Sequence, residues 1–223
     1  GSNGWSDPAV GDWDPVTMTG TLRTDLAQGI QITAGGIVLD GAGHTLTGDG
    51  SSAGVYVNKQ NNVTVKNIHV QGFAYGIYLY SAQGNTVADS TANGNTTHGI
   101  YLNNSRNNTL TNNSASGNLC DGLHLEWSSS NTLTGNSASN NQQHGFYLSS
   151  AGSNVLAGNT MAGNVCDFRV DSSWEGDYIQ GIDTSNRIGA GGKAIYYLVG
   201  ATGVTIDAAS NAGASAVYLI LEP

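Results

Sequence analysis

His98, Asp121 and His144 stand 23 residues apart, and two imidazoles with one carboxylate are a donor set suited to Zn, Cu or Fe. A denser polar group surrounds and follows them: Asp121, His124, Glu126 and Trp127, then Asp167, Arg169, Asp171, Trp174 and Glu175. Carboxylates beside an arginine suit a polysaccharide lyase, with acids holding Ca²⁺ against a uronate and Arg169 abstracting a proton. A pair of carboxylates at a set separation would instead serve a glycoside hydrolase. The residues for either reaction are Asp121, Glu126, Asp167 and Arg169. A third chemistry is binding alone: Tyr78, Tyr101, His124, Trp127 and Tyr147 supply amphipathic rings against which sugars stack and hydroxyls find partners. Each reading has a plainer counterpart. The histidines and Asp121 also make a surface ladder, the charges a solvated sheet face, and the tyrosines a self-stacked row that stiffens the sheet.

What these residues do depends on the elements that carry them. Gly54, Gly76, Gly99, Gly122 and Gly145 each open a short "G-x-x-x" run such as "GIYLY" or "GLHLE", at steps of 22 and then 23 residues. A period of this size marks stacked repeats. Inside each unit apolar and polar residues alternate with period two, with Asn, Gly and Ser clusters between, which is the pattern of strands and tight turns. Helical periodicity is missing, and interior Asn and Gly disfavour helices. The expected fold is all-β, a right-handed parallel β-helix of about eight coils, each with three short strands lying parallel to their equivalents in the next coil.

In that fold a separation of 23 residues becomes one strand spacing, about 4.8 Å. Asn85, Asn108, Asn131 and Asn154 then stack, as do Asn113, Asn136 and Asn159, and Asn95, Asn118, Asn141 and Asn164, so that each amide reaches the next. Ile77, Ile100, Leu123 and Phe146 make one inward column, and Leu79, Leu102, Leu125 and Leu148 another. Outward columns read Tyr56, Tyr78, Tyr101, His124, Tyr147, Arg169 and Asn58, Tyr80, Asn103, Glu126, Ser149, Asp171. The same register sets His98 and His144 two coils apart, about 9.6 Å, bridged only if both lean inward. Cys120 and Cys166 are equally distant, beyond the ~7 Å reach of a disulfide, and are expected as free thiols. With two cysteines and two methionines a soft copper site lacks ligands.

Composition narrows the partners. A net charge of −9 with only seven Lys and Arg argues against nucleic acid, and no apolar run reaches the ~20 residues of a membrane span. The chain divides into a tail over residues 1–20 and one β-helix domain over 21–223. Within the domain a cap covers about 21–29, regular coils about 30–171, an irregular insertion about 172–192 and final coils about 193–223. The end lacks an obvious polar cap, as a piece of a longer protein would.

The phrase "GIVLDGAGHTLTG", followed by "VTVKNIHVQGFAYGIYLYSAQGNTV", resembles the NosD-like β-helix family, also called carbohydrate-binding and sugar-hydrolysis domains. "YIQGIDTSNRIGAGGKAIYYLVG" is similar to a segment that follows such repeats in archaeal cell-surface proteins. The resemblance implies the fold. It carries over no catalytic residue, because the family includes sugar-active enzymes, copper-associated periplasmic proteins and surface-layer components. The expectation is a non-catalytic, exported or cell-surface module. Its partner would be a polysaccharide or surface glycan, with neighbouring surface-protein domains beside it. No cofactor is expected, save Ca²⁺ for a lyase. The alternatives are a lyase or hydrolase and a copper or zinc protein.

Overall fold

The computed structural model describes residues 4, 5, 7, 9–171, 181–199 and 216–220. They form a parallel β-solenoid, and no helix occurs among them. One face is a nine-stranded sheet running from Gly11–Asp14 to Gly181–Ile182. A second, the polar face, has seven strands: Ile30–Ile32, Ala53–Asn58, Tyr75–Tyr80, His98–Asn103, Leu123–Glu126, His144–Ser149 and Cys166–Asp171. The third face carries Thr45–Thr47, His69–Gln71 and Thr91–Asn93, then Ser137–Ser139, Thr160–Ala162 and Arg187–Ile188, with Ser114 bridging the two groups. Seven strands on the polar face mean seven turns there among the described residues.

Registers on the polar face are those the repeat demands. Ile100 pairs with Ile77 and Leu123, Leu102 with Leu79 and Leu125, and Leu123 with Phe146. These side chains are fully buried, and burying each leucine-sized group stabilises the fold by roughly 1.5–3 kcal/mol. Alternation then sends the intervening residues outward.

Each ladder asparagine donates twice to the next. Asn108 Nδ2 and its backbone N–H reach Asn131 Oδ1 at 3.0 and 2.8 Å, and Asn131 repeats this on Asn154 at 3.1 and 2.8 Å. The second amide hydrogen closes a corner carbonyl, as Asn131 does with Ser105 O at 3.1 Å. The ladder thus satisfies backbone groups that a buried turn would otherwise orphan. The paired asparagines divide this work: Asn107, Asn112 and Asn140 hold left-handed corners at φ 56°, while Asn108, Asn113 and Asn141 beside them are buried ladder residues. A short amide adopts that backbone at lower cost than a bulky side chain. Opposite the ladder, Gly122 leaves the room: a Cβ there would meet Ala138 Cβ at 2.6 Å and Asn141 Nδ2 at 2.8 Å.

The ends depart from the repeat. Residues 11–22, which the sequence places between tail and cap, form an antiparallel hairpin of Gly11–Asp14 and Thr19–Leu22, whose second strand joins Val38–Asp40. Trp5 packs there against the core. A cavity of about 500 Å³ opens at this end, lined by Trp5, Trp13, Leu26 and Ile37 among others and reaching the first strand of the polar face, Ile30–Ile32. At the other end Lys193–Val199 pairs antiparallel with Arg187–Ile188, so the chain reverses there, and then parallel with Ala216–Ile220. Residues 172–180 of the insertion, and 200–215 and 221–223 with the call on the end cap, lie outside the described residues.

Candidate functional site

Outward residues of the polar face stack in a continuous row. Ring centroids of Tyr56 and Tyr78 are 5.1 Å apart, Tyr78 and Tyr101 4.9 Å, Tyr101 and His124 5.2 Å, and His124 and Tyr147 4.6 Å, with Arg169 over Tyr147 at 5.3 Å. The faces of these rings are largely spent on one another, and Tyr101 is only 9% exposed. The row therefore presents edges and hydroxyls rather than open platforms for sugar stacking. Burial first, then the neighbouring phenols and Glu126, pushes the Tyr78 hydroxyl up to about 12. Burial and the Glu126 carboxylate raise Tyr101 as well.

Beside the row, the turn before Leu123–Glu126 delivers Asp121 into a nest of imidazoles. His144 Nδ1 lies 2.7 Å from Asp121 Oδ1, while His124 Nδ1 and His98 Nδ1 lie 3.0 and 3.2 Å from Oδ2. His98 Nε2 and His124 Nδ1 are 3.3 Å apart. Asp121 is 1% exposed. Burial works to raise its carboxyl, but hydrogen bonds from His124 and His98, the charge of His98 and the bond from His144 outweigh it and hold the group well below the ordinary carboxylate range. Burial lowers His98, partly offset by Asp121.

The spacing of 23 found His98, Asp121 and His144, but the structure adds His124, three residues after Asp121, and makes it the third member of the converging set. His144 instead holds the far carboxylate oxygen. The sequence groups His124 with Asp121 and also with the aromatic row, but its approach to His98 across the coils leaves no period in the sequence.

The remaining acids and the arginine are engaged elsewhere. Glu126 Oε2 accepts from Tyr101 OH and from Asn103 Nδ2 at 2.6 Å. Arg169 pairs with Asp171 at 2.7 Å, which keeps its guanidinium protonated. Asp167 does not join Asp121 and Glu126: its Oδ1 ends an asparagine ladder, accepting from Asn164 Nδ2 at 2.9 Å, and its Oδ2 accepts from Gly189 N–H at 2.8 Å. Trp174 and Glu175 lie outside the described residues. Trp127 stands apart at 61% exposure, on the corner after Glu126, with φ 47°. The equivalent corners hold Lys59, Ser81, Asn104 and Ser150, also at positive φ. Both cysteines are free.

The fold is shared with polysaccharide-acting proteins. The periplasmic alginate epimerase AlgG superposes with a TM-score of 0.57 at 17% identity, over 81% of this chain and 53% of the epimerase. A point variant of the same epimerase gives 0.57 at 18% identity, over 95% and 54%. A pectate lyase gives 0.47 at 19% identity, over 77% and 48%. The chain thus spans about half the length of the epimerase structures it matches. No match was found among curated protein sequences. A family model described as periplasmic copper-binding protein (NosD) matches residues 17–211, and the chain belongs to the NosD family.

Proposed function

We propose that the polar face is a non-catalytic binding surface for polysaccharide on an exported or cell-surface protein, with Trp127 as its sugar platform. One observation carries this reading. A large aromatic occupies a left-handed corner where the two adjoining coils use asparagine and serine and no other described coil uses an aromatic, at a cost on the order of 1–2 kcal/mol, and its ring is turned to solvent. A strained, exposed aromatic contributes nothing to packing, so its use lies outside the fold. Glu126, Asn103 and the edges of Tyr101 and Tyr147 sit in register beside it, polar groups suited to ring hydroxyls. The non-catalytic reading is supported by the engagement of Asp121, Glu126, Asp167 and Arg169 in internal contacts, which leaves no free acid and base pair among these candidates. The periplasmic alginate epimerase of similar fold supports an extracytoplasmic glycan as the kind of ligand.

The test is titration of neutral and uronate polysaccharides by calorimetry against wild type and Trp127→Ala, with product absorbance in the near ultraviolet followed in parallel. The expected result is saturable binding weakened at least tenfold by the substitution, with no unsaturated product. Binding indifferent to Trp127, no binding to any glycan, or product formation would each sink the reading.

A further inference from the structure

The corner that follows the polar face carries a charge pattern at odds with the rest of the molecule. Sixteen acids against seven Lys and Arg give the chain its net charge of −9. Yet the five successive corner segments, residues 59–62, 81–84, 104–107, 127–130 and 150–153, contain Lys59 and Arg106 and neither Asp nor Glu. These segments lie one above another. The backbone N–H groups of Lys59, Ser81, Asn104 and Trp127 each donate to a carbonyl of the next coil, and Gln83 bridges Arg106. Lys59 therefore stands three strand spacings from Trp127, about 14 Å along the solenoid axis, and Arg106 lies on the coil just before Trp127. We infer that this edge binds a polyanionic glycan, a polysaccharide bearing repeated carboxylate or sulfate groups. The chain of sugars lies along the solenoid axis, with one ring against Trp127 and its anionic groups on Arg106 and Lys59. The inference rests on the reading of Trp127 as a sugar platform and adds the ligand's charge and direction.

Both cations are exposed, and neither has an acidic partner among the described residues, whereas Arg23, Lys66 and Arg169 pair with Asp12, Asp40 and Asp171. Their charges are therefore open to an external anion, and a guanidinium can hold a carboxylate or sulfate through two parallel hydrogen bonds. Lys59 also shares the backbone of Trp127: it sits at φ 55° in a column otherwise filled by Ser81, Asn104 and Ser150. The two bulky members of that column are thus the two that such a ligand would touch. Acids on the flanking elements are directed elsewhere. Glu126 turns back along its strand onto Tyr101 and Asn103, Asp171 pairs with Arg169, and Asp89 accepts from Asn112 at the following corner. Charges more than about 8 Å away are largely screened at physiological salt, so a polyanion at this edge meets its local cations rather than the net charge of the chain.

Calorimetric titration compares polygalacturonate with its methyl ester, which keeps the backbone and removes the charge, and dextran sulfate with dextran, each at low and high salt. The expected result is that at least one charged polymer binds about tenfold tighter than its uncharged counterpart at low salt, and that this preference collapses at high salt. Preference for polygalacturonate identifies carboxylate as the group recognised, and preference for dextran sulfate identifies sulfate. The double variant Lys59→Gln, Arg106→Gln loses about three- to thirtyfold in affinity for the charged polymer and leaves binding of the uncharged one unchanged. Both substitutions are on the surface, and circular dichroism should show the wild-type fold. The inference is overturned if the ester and dextran bind as tightly as their charged counterparts, or if the double variant keeps wild-type affinity for the charged polymer. Either result would leave Trp127-dependent binding of uncharged glycan intact, whereas loss of all glycan binding would remove the platform reading itself.

Discussion

Tyr78 carries the most direct pH signature of the polar face. Its hydroxyl stays protonated to about 12 in the folded state because burial and the surrounding phenols oppose its charge, whereas an unfolded tyrosine ionises near 10. A raised folded value favours the protonated native form, so this stabilisation is fully present below about pH 10 and is lost as pH climbs from there to about 12. Tyr101, raised by the same burial and by Glu126, acts in the same direction. Ultraviolet titration should show these two tyrosines ionising late, and thermal midpoints should fall between pH 10 and 12. Tyr78→Phe should flatten that fall, and simultaneous ionisation of every tyrosine in the folded protein would contradict it.

Within each coil, the asparagine pairs assign two jobs to neighbouring residues, and substitution separates them. Asn131→Ala removes two acceptances and two donations from a fully buried ladder position. With net hydrogen bonds near 1 kcal/mol and buried orphans costing about 1–3 kcal/mol, the loss should be about 3 kcal/mol or more. Asn112→Ala, at an exposed corner, should cost about 1 kcal/mol from backbone strain. Denaturant unfolding of the two variants gives the comparison, and equal losses would refute the division. Gly122→Ala should cost about 1–3 kcal/mol by overpacking against Ala138 and Asn141.

At the scale of the whole molecule, the register behaves as a unit of length. Deleting residues 131–153, one full period, brings Asn154 under Asn108 and keeps every column in phase, so a cooperatively unfolding, shorter β-solenoid is expected. Deleting 130–153 shifts the following strands by one residue and turns Leu156 and its column toward solvent. Circular dichroism melts distinguish the two. A folded product from the longer deletion, with the midpoint of the in-phase one, would mean that the columns do not govern stability.

Spacing alone determined the solenoid, its core columns, its three amide ladders and its two free thiols, because a parallel β-helix converts one sequence period into one strand spacing and leaves little else to choose. The family resemblance read from "GIVLDGAGHTLTG" followed the same logic, since the shared residues are scaffold positions. The tertiary structure decided what lies between columns. His124 leans across from the aromatic row to meet His98 and Asp121, Asp167 turns to end a ladder, and Asn186 extends another across a break of 27 residues. Side-chain torsions and irregular turns set those meetings, and neither leaves a period in the sequence. Trp127 fell in both domains: its identity was plain in the chain, while its left-handed corner and open ring became visible only once the coils were stacked.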